Sequence, residues 1–262
     1  MPTTSLIAYA NVGKTFDGGR VAAVDDVSLE VAEGEFLAIV GGSGSGKTTL
    51  LRLANRLIEA DSGSITVEGE DVRNVDPILL RRRIGYVFQS GGLFPHLTVA
   101  DNIGITPKLT GTPPTEISAR VDELLELVRL DRAQYRGRLP HELSGGQRQR
   151  VGVARALAAK PRIVLMDEPF GALDPLTRDA LGDDFRELHR KLGLTTVMIT
   201  HDMTEAILLA DRIAVMRGGR LLAQGTPAEL SESSDAYVGE LLRTPRRQAE
   251  RINALLPQDG AA

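Results

Sequence analysis

The sequence has no cysteine among its 262 residues. Disulfide frameworks, thiolate zinc sites and thiol nucleophiles are excluded at once. Tryptophan is also absent and aromatics reach only 4%, too few for a surface that stacks single-stranded nucleic acid. There is no excess of positive charge: 31 Lys and Arg against 35 Asp and Glu leave −4. A general nucleic-acid binder is usually basic, so no nucleic-acid partner is expected. Long apolar runs are missing. Runs such as Phe36–Val40 and Ile163–Met166 fall far short of the roughly 20 residues of a membrane span. The opening MPTTSLIAYANVGK lacks the basic start and apolar stretch of a secretory signal. The chain is expected not to cross a bilayer unaided, which leaves it free to dock on a membrane protein.

What is present is a soluble-type composition, 42% hydrophobic and 25% charged, with 27 glycines. Apolar runs without polar alternation occur at Phe36–Val40, Ile84–Phe88, Ile163–Met166, Thr195–Thr200 and Ile213–Met216, as in strands buried on both faces of a parallel sheet. Helical patterns fall at about 46–59, 116–129, 145–159, 176–192 and 203–210. Such alternation predicts an α/β domain. The first 33 residues alternate around Asp17-Gly18-Gly19, and Ser64–Val72 alternates again, which predicts an antiparallel flank.

Gly41-Gly-Ser-Gly-Ser-Gly46-Lys47-Thr48 fits G-x-x-x-x-G-K-[ST], follows a strand and opens a helix. Glycines let successive N–H groups converge on phosphate oxygens, and the helix N-terminus adds partial positive charge. Gly41, Gly42, Gly44 and Gly46 are expected to face phosphates, with Ser43, Ser45 and Thr49 completing the cradle. Lys47 would reach the β- and γ-phosphates, and Thr48 would hold Mg²⁺. The strand Ile163–Met166 ends in Asp167-Glu168. In a P-loop nucleotidase such a strand is expected beside the phosphate-loop strand, with Asp167 on Mg²⁺. Alternation would send Glu168 to the other face, where it could act as general base.

Leu143-Ser144-Gly145-Gly146-Gln147 has capping-box spacing and reads as a helix start. The same five residues are identical to the signature of ABC transporter ATP-binding subunits, and the chain resembles that family from about Leu6 to Leu242. Gln89 resembles the Q-loop glutamine, Gly171-Ala-Leu-Asp174 the D-loop, His201 the switch histidine and Phe16 the aromatic that stacks on adenine. Gly42 stands where the family commonly has Pro, and Thr48 where it commonly has Ser. The resemblance implies a RecA-like P-loop NTPase core with an antiparallel β flank and an inserted helical subdomain. The expected division is one ABC ATPase domain over 1–242: flank 1–33 and 61–75, core 34–60, 76–89 and 161–225, helical subdomain 90–160. Residues 243–262 are expected to form a loosely held helix and C-terminal tail.

The resemblance further implies ATP and Mg²⁺ as ligands and a head-to-tail homodimer, or a dimer with a closely related subunit. Each nucleotide would lie between one phosphate loop and the partner's Ser144, Gly145, Gly146 and Gln147. Glu168 and His201 are implied to activate and hold water, with Gln89 contacting Mg²⁺ and that water. Integral permease subunits and a separate substrate-binding protein are implied as partners, with the ATPase peripheral on the cytoplasmic face of the membrane. Gly92–Val99, Leu139–Ser144 and Phe170–Arg178 most resemble importers of quaternary-amine osmoprotectants (glycine betaine, choline, carnitine). Nitrate, sulfonate and taurine importers are the nearest alternatives. Soluble ABC ATPases usually carry a second core or long coiled coils, neither of which is seen here.

Overall fold

Two 12-residue strands, β1 (Ser5–Phe16) and β2 (Val21–Ala32), meet at a tight connection. Asp17, Gly18 and Gly19 there have φ of 54°, 67° and 90°, a left-handed run that glycine adopts without Cβ strain. The structure is a computed structural model and describes residues 5–89 and 91–255. Residues 1–4 of the expected flank, residue 90, and 256–262 of the expected tail lie outside the described residues.

After β3 (Phe36–Val40) the chain makes α1 (Lys47–Ala54), β4 (Ser62–Val67), β5 (Glu70–Asp71), α2 (Pro77–Arg83) and β6 (Ile84–Val87). Four helices follow, α3 (Val99–Leu109), α4 (Pro114–Leu127), α5 (Arg132–Tyr135) and α6 (Gly145–Leu157). The chain then runs through β7 (Ile163–Asp167), α7 (Pro175–Leu192), β8 (Thr195–Thr200), α8 (Met203–Leu209) and β9 (Arg212–Arg217). It ends with β10 (Arg220–Gly225), α9 (Pro227–Ser231) and α10 (Ala236–Leu255). A four-stranded antiparallel sheet has the order β2-β1-β4-β5, and a six-stranded sheet the order β10-β9-β3-β8-β7-β6. All pairs of the larger sheet are parallel except β10 with β9.

Side-chain alternation divides the core between the two faces of the larger sheet. Phe36, Ala38 and Val40 of β3 join a cluster with residues of α3, α4, α6, α7 and α8. Leu37 and Ile39 join a second cluster with α1, β1, β2 and β4. Both clusters are made of buried, mainly aliphatic side chains, which explains the unbroken apolar runs.

Two expectations need correction. The strand carrying Asp167 does not lie beside the phosphate-loop strand: β8 pairs with β3 on one side and β7 on the other. Both orders satisfy the same apolar pattern, so pairing order is not encoded in it. Phe88, placed in a buried run, is 44% exposed just past β6, the sheet edge. The helix α10 runs through Arg243 without a break, although it contains Pro245.

His189 on α7 is buried against β3 and β8. Its Nδ1 lies 3.0 Å from Thr196 Oγ1, and its ring centroid is 5.1 Å from that of Phe36. Burial, helped by the Arg186 charge, lowers its pKa from the ordinary 6.5. The folded state therefore resists a proton that the unfolded chain accepts, and stability is lost as pH falls below 6.5. The expected result is that His189→Gln flattens the drop in unfolding temperature between pH 7.5 and 5.5. An unchanged drop would place that pH dependence on other groups.

Candidate functional site

The loop between β3 and α1 is shaped by close backbone packing. A Cβ on Gly41 would lie 2.1 Å from Met216 O of β9, and one on Gly46 2.1 Å from Ala23 O of β2. Gly42 and Gly44 have no such neighbour. So two glycines expected to face phosphate are required first by protein backbone behind the loop. Gly42, Ser43 and Gly44 are exposed, Ser45 is buried, and Thr49 is half-buried in the first turn of α1.

Lys47 is 6% exposed. Its Nζ donates to Gly41 O at 2.8 Å, Gly42 O at 3.0 Å and Ser45 Oγ at 3.4 Å. Burial lowers its pKa, opposed by the Glu168 and Asp167 charges. A desolvated ammonium held by loop carbonyls is poised to exchange them for a charged acceptor such as a phosphate.

Thr48 Oγ1 donates to Asp167 Oδ1 at 3.2 Å, which joins α1 to the end of β7 across the intervening β8. The other oxygen of Asp167 accepts from Arg52 Nη2 at 3.3 Å and from Tyr86 Oη at 3.2 Å. Burial, then the Asp167 charge, pushes the Tyr86 hydroxyl up to about 12. Glu168 lies one residue past β7 with φ 46°. A backbone turn therefore aims it, and the strand alternation expected to do so has already ended. Its Oε2 accepts from Gln89 Nε2 at 3.0 Å and lies 3.3 Å from His201 Nδ1. Carboxylate, amide and imidazole thus converge from the ends of three strands.

The segment carrying His201 is fixed from behind. Thr200 Oγ1 donates to Glu205 Oε2 at 2.6 Å, and Arg178 Nη1 to Asp202 Oδ2 at 3.2 Å. Burial raises the pKa of Glu205. Arg178 lies in α7, capped by Asp174; α7 and the segment that follows β8 are therefore in contact.

The residues 144–147 form their own cap. Gln147 N donates to Ser144 Oγ at 3.2 Å, and Ser144 N to Gln147 Oε1 at 2.9 Å. Gln147 Nε2 donates to Tyr135 Oη at 3.0 Å, so its amide is engaged within the chain. The amides of Gly145 and Gly146 lie in the first turn of α6 and have no intrahelical acceptor. Phe16 ends β1, is 39% exposed and carries Lys14 Nζ 5.5 Å from its ring centroid. The structure therefore gathers Lys47, Thr48, Gln89, Asp167, Glu168 and His201 into one site. It leaves Phe16 and Ser144–Gln147 outside that site, with Phe16, Ser144 and Gly145 exposed and Gly146 and Gln147 half-buried.

Two supporting residues had sequence signals. Arg52 lies one helical turn beyond Thr48, and Glu205 stands at capping-box spacing from Asp202. Tyr86 and Arg178 had none.

A sequence profile described as ABC transporter matches residues 24–171. The choline transport ATP-binding protein OpuBA of Bacillus subtilis is 47% identical over 258 residues, covering 96% of this chain and 67% of that protein. The chain belongs to the ABC transporter family. The glycine betaine uptake system ATP-binding protein YehX of Escherichia coli is 50% identical over 222 residues, covering 85% of this chain and 71% of that protein. An ATP-binding cassette solved as a dimer in a post-hydrolysis state with ADP and Pi superposes with a TM-score of 0.75. It is 32% identical and covers 84% of this chain and 98% of that one. As an ABC cassette this chain is an ATPase. No helix among the described residues is long and apolar enough to cross a membrane.

The donor set fits Mg²⁺. Thr48 Oγ1 and the Asp167 carboxylate are hard oxygens facing each other. Among the described residues no group of three His, Cys, Asp or Glu would hold a metal. An ion here would be completed by nucleotide phosphate oxygens and water, the usual habit of Mg²⁺.

Proposed function

We propose that this chain is the ATP-hydrolysing subunit of an importer for a quaternary amine such as glycine betaine, choline or carnitine. The observation that carries the ATPase half is Glu168 Oε2 within reach of both Gln89 and His201, next to Lys47 and Thr48. The cargo rests on the similarity to the choline and glycine betaine subunits.

In this reading the amides of 43–46 and Lys47 hold the β- and γ-phosphates, and Gly42 shapes the loop behind them. Phe16 stacks on the adenine, and Thr48 and Asp167, with Gln89 at the edge, would hold Mg²⁺, which would supply charge neutralisation at the phosphates. Glu168 takes a proton from water as its oxygen attacks the γ-phosphorus, and the bond to the β,γ-bridging oxygen breaks toward ADP. His201 and Gln89 keep that water in line. Ser144, Gly145, Gly146 and the helix they open, held in shape by Gln147, complete the site of a second copy. Two such sites form in a head-to-tail homodimer, and loss of the γ-phosphate releases it.

The groove beside Gln89, lined by Tyr86, Phe88, Phe94, Leu109 and Arg155 among others, is the surface we assign to the permease. Phe88, Phe94 and Leu109 are 44%, 42% and 60% exposed, an apolar patch of the kind that marks interfaces. Arg155 Nη1 and Nη2 donate to Gly92 O and Gly91 O, both at 2.8 Å, and tie that groove to the signature helix α6. A separate substrate-binding protein would select the cargo. The ATPase would sit peripherally on the cytoplasmic face.

The test is to purify the tagged chain from membranes and reconstitute the retained complex in proteoliposomes. A retained permease and ATP-dependent uptake of labelled choline or glycine betaine are expected. Uptake confined to nitrate or a sulfonate would overturn the cargo. Recovery with ribosomes or DNA and no permease would overturn the importer.

A further inference from the structure

The C-terminal helix α10 reaches the phosphate loop through one side chain. Gly42 N donates to Tyr237 Oη at 3.2 Å. The carbonyl of the same residue accepts from Ser45 N at 3.2 Å and from Lys47 Nζ at 3.0 Å. Gly42 is thus bonded at both ends: outward to Tyr237, inward to the loop's own turn and its lysine.

Tyr237 is itself firmly placed. It lies in the first turn of α10, where Asp235 Oδ1 accepts from Tyr237 N at 2.9 Å and Val238 N at 3.0 Å. Val238 is fully buried in the core cluster on the α6–α8 face of the sheet. The guanidinium of Arg217, at the end of β9, lies 4.7 Å from the Tyr237 ring centroid. The same end of the sheet braces the loop elsewhere: Gly219 N donates to Ser45 O at 3.1 Å. Further along α10, Leu241, Thr244, Pro245 and Gln248 line one groove with His201 and Met203. One helix therefore borders both the phosphate loop and the segment that carries the switch histidine.

We infer that Tyr237 is a positioning residue for nucleotide binding. It acts through the Gly41–Gly42 peptide: its hydroxyl accepts from Gly42 N, and the carbonyl of that same peptide unit, Gly41 O, holds the Lys47 ammonium at 2.8 Å, so the loop is set before phosphate arrives. A hydroxyl that accepts from Gly42 keeps its own proton for a further acceptor. Pre-setting the loop lowers the ordering cost of binding. The effect belongs in nucleotide affinity, because Tyr237 has no contact with Glu168. This inference rests on the assignment of residues 41–48 as the ATP site.

Tyr237→Phe keeps the ring, its Arg217 contact and its packing and removes only the oxygen. The expected result is a roughly fivefold rise in KM for ATP, the worth of one ordinary hydrogen bond, with kcat changed less than twofold. Gly42→Pro removes the donor N–H, and the φ of Gly42 lies outside the left-handed region. In that background Tyr237→Phe should have no further effect, whereas in Gly42→Ala, which keeps the N–H, it should cost the same fivefold. Hydrogen exchange of the nucleotide-free protein gives a reading independent of the Pro variant: amides of 41–47 should exchange faster in Tyr237→Phe. An unchanged KM, an equal loss in the Gly42→Pro background, or unaltered exchange would each overturn the inference. Failure of the unaltered protein to bind a fluorescent ATP analogue with Mg²⁺ would instead overturn the ATP site itself.

Discussion

Glu168→Gln is expected to lower steady-state phosphate release by about 10²–10⁴-fold, the usual worth of a general base. ATP affinity should stay within about twofold. The amide has nearly the carboxylate's shape and stays beside Gln89 and His201, which lie 3.0 Å and 3.3 Å from Oε2 in the native residue. What it cannot do is accept the proton of the attacking water. The binding parts are untouched, because Lys47 bonds to loop carbonyls and Thr48 to Asp167. Bound ATP that is not cleaved should hold two copies together, seen as an ATP-dependent shift to dimer in light scattering. Phosphate release at more than about a tenth of the native rate would remove Glu168 as the base. The Glu168 charge also supports protonated Lys47 against desolvation. ATP affinity of the variant should therefore begin to fall at lower pH than in the native protein, on the alkaline side.

Much of this site was legible because its chemistry is local in sequence. A phosphate loop needs contiguous glycines, one lysine and one hydroxyl between a strand and a helix, and residues 41–48 supply them in order. Asp167 and Glu168 were legible because an apolar strand ends on them. Legibility stopped at the pairing order. β8 lies between β3 and β7, yet nothing in five apolar runs of similar length says which strand lies next to which. That order matters: it places His201, just beyond β8, between the loop on β3 and Glu168 beyond β7. Glu168 was reached by the wrong route, since its direction comes from φ 46° and not from strand alternation. Tyr237 was invisible. Its partner Gly42 is 195 residues away, and a tyrosine in the first turn of a helix carries no sequence mark of that contact.

The glycines separate the physical roles most sharply. Gly44→Ala is expected to cost about 1–2 kcal/mol of stability in the nucleotide-free protein, the strain of an alanine at left-handed φ. Its φ is 74° and nothing lies within 4 Å of the added carbon. Gly46→Ala should cost about 3 kcal/mol or more, because strain at φ 98° is joined by a Cβ 2.1 Å from Ala23 O. That oxygen belongs to the backbone of β2, which is paired to β1 and cannot swing aside as a side chain would. Relief requires the loop to lift away from the β flank. Gly46 O accepts from Leu50 N at 2.9 Å, so lifting it unwinds the first turn of α1. Lys47 and Thr48 would be carried out of register with Asp167, and ATP affinity should fall at least 100-fold with stability. Urea unfolding and titration with a fluorescent nucleotide measure the two effects separately. Equal losses of stability for Gly44→Ala and Gly46→Ala would mean that backbone strain alone governs the loop, and that its seat against β2 contributes nothing.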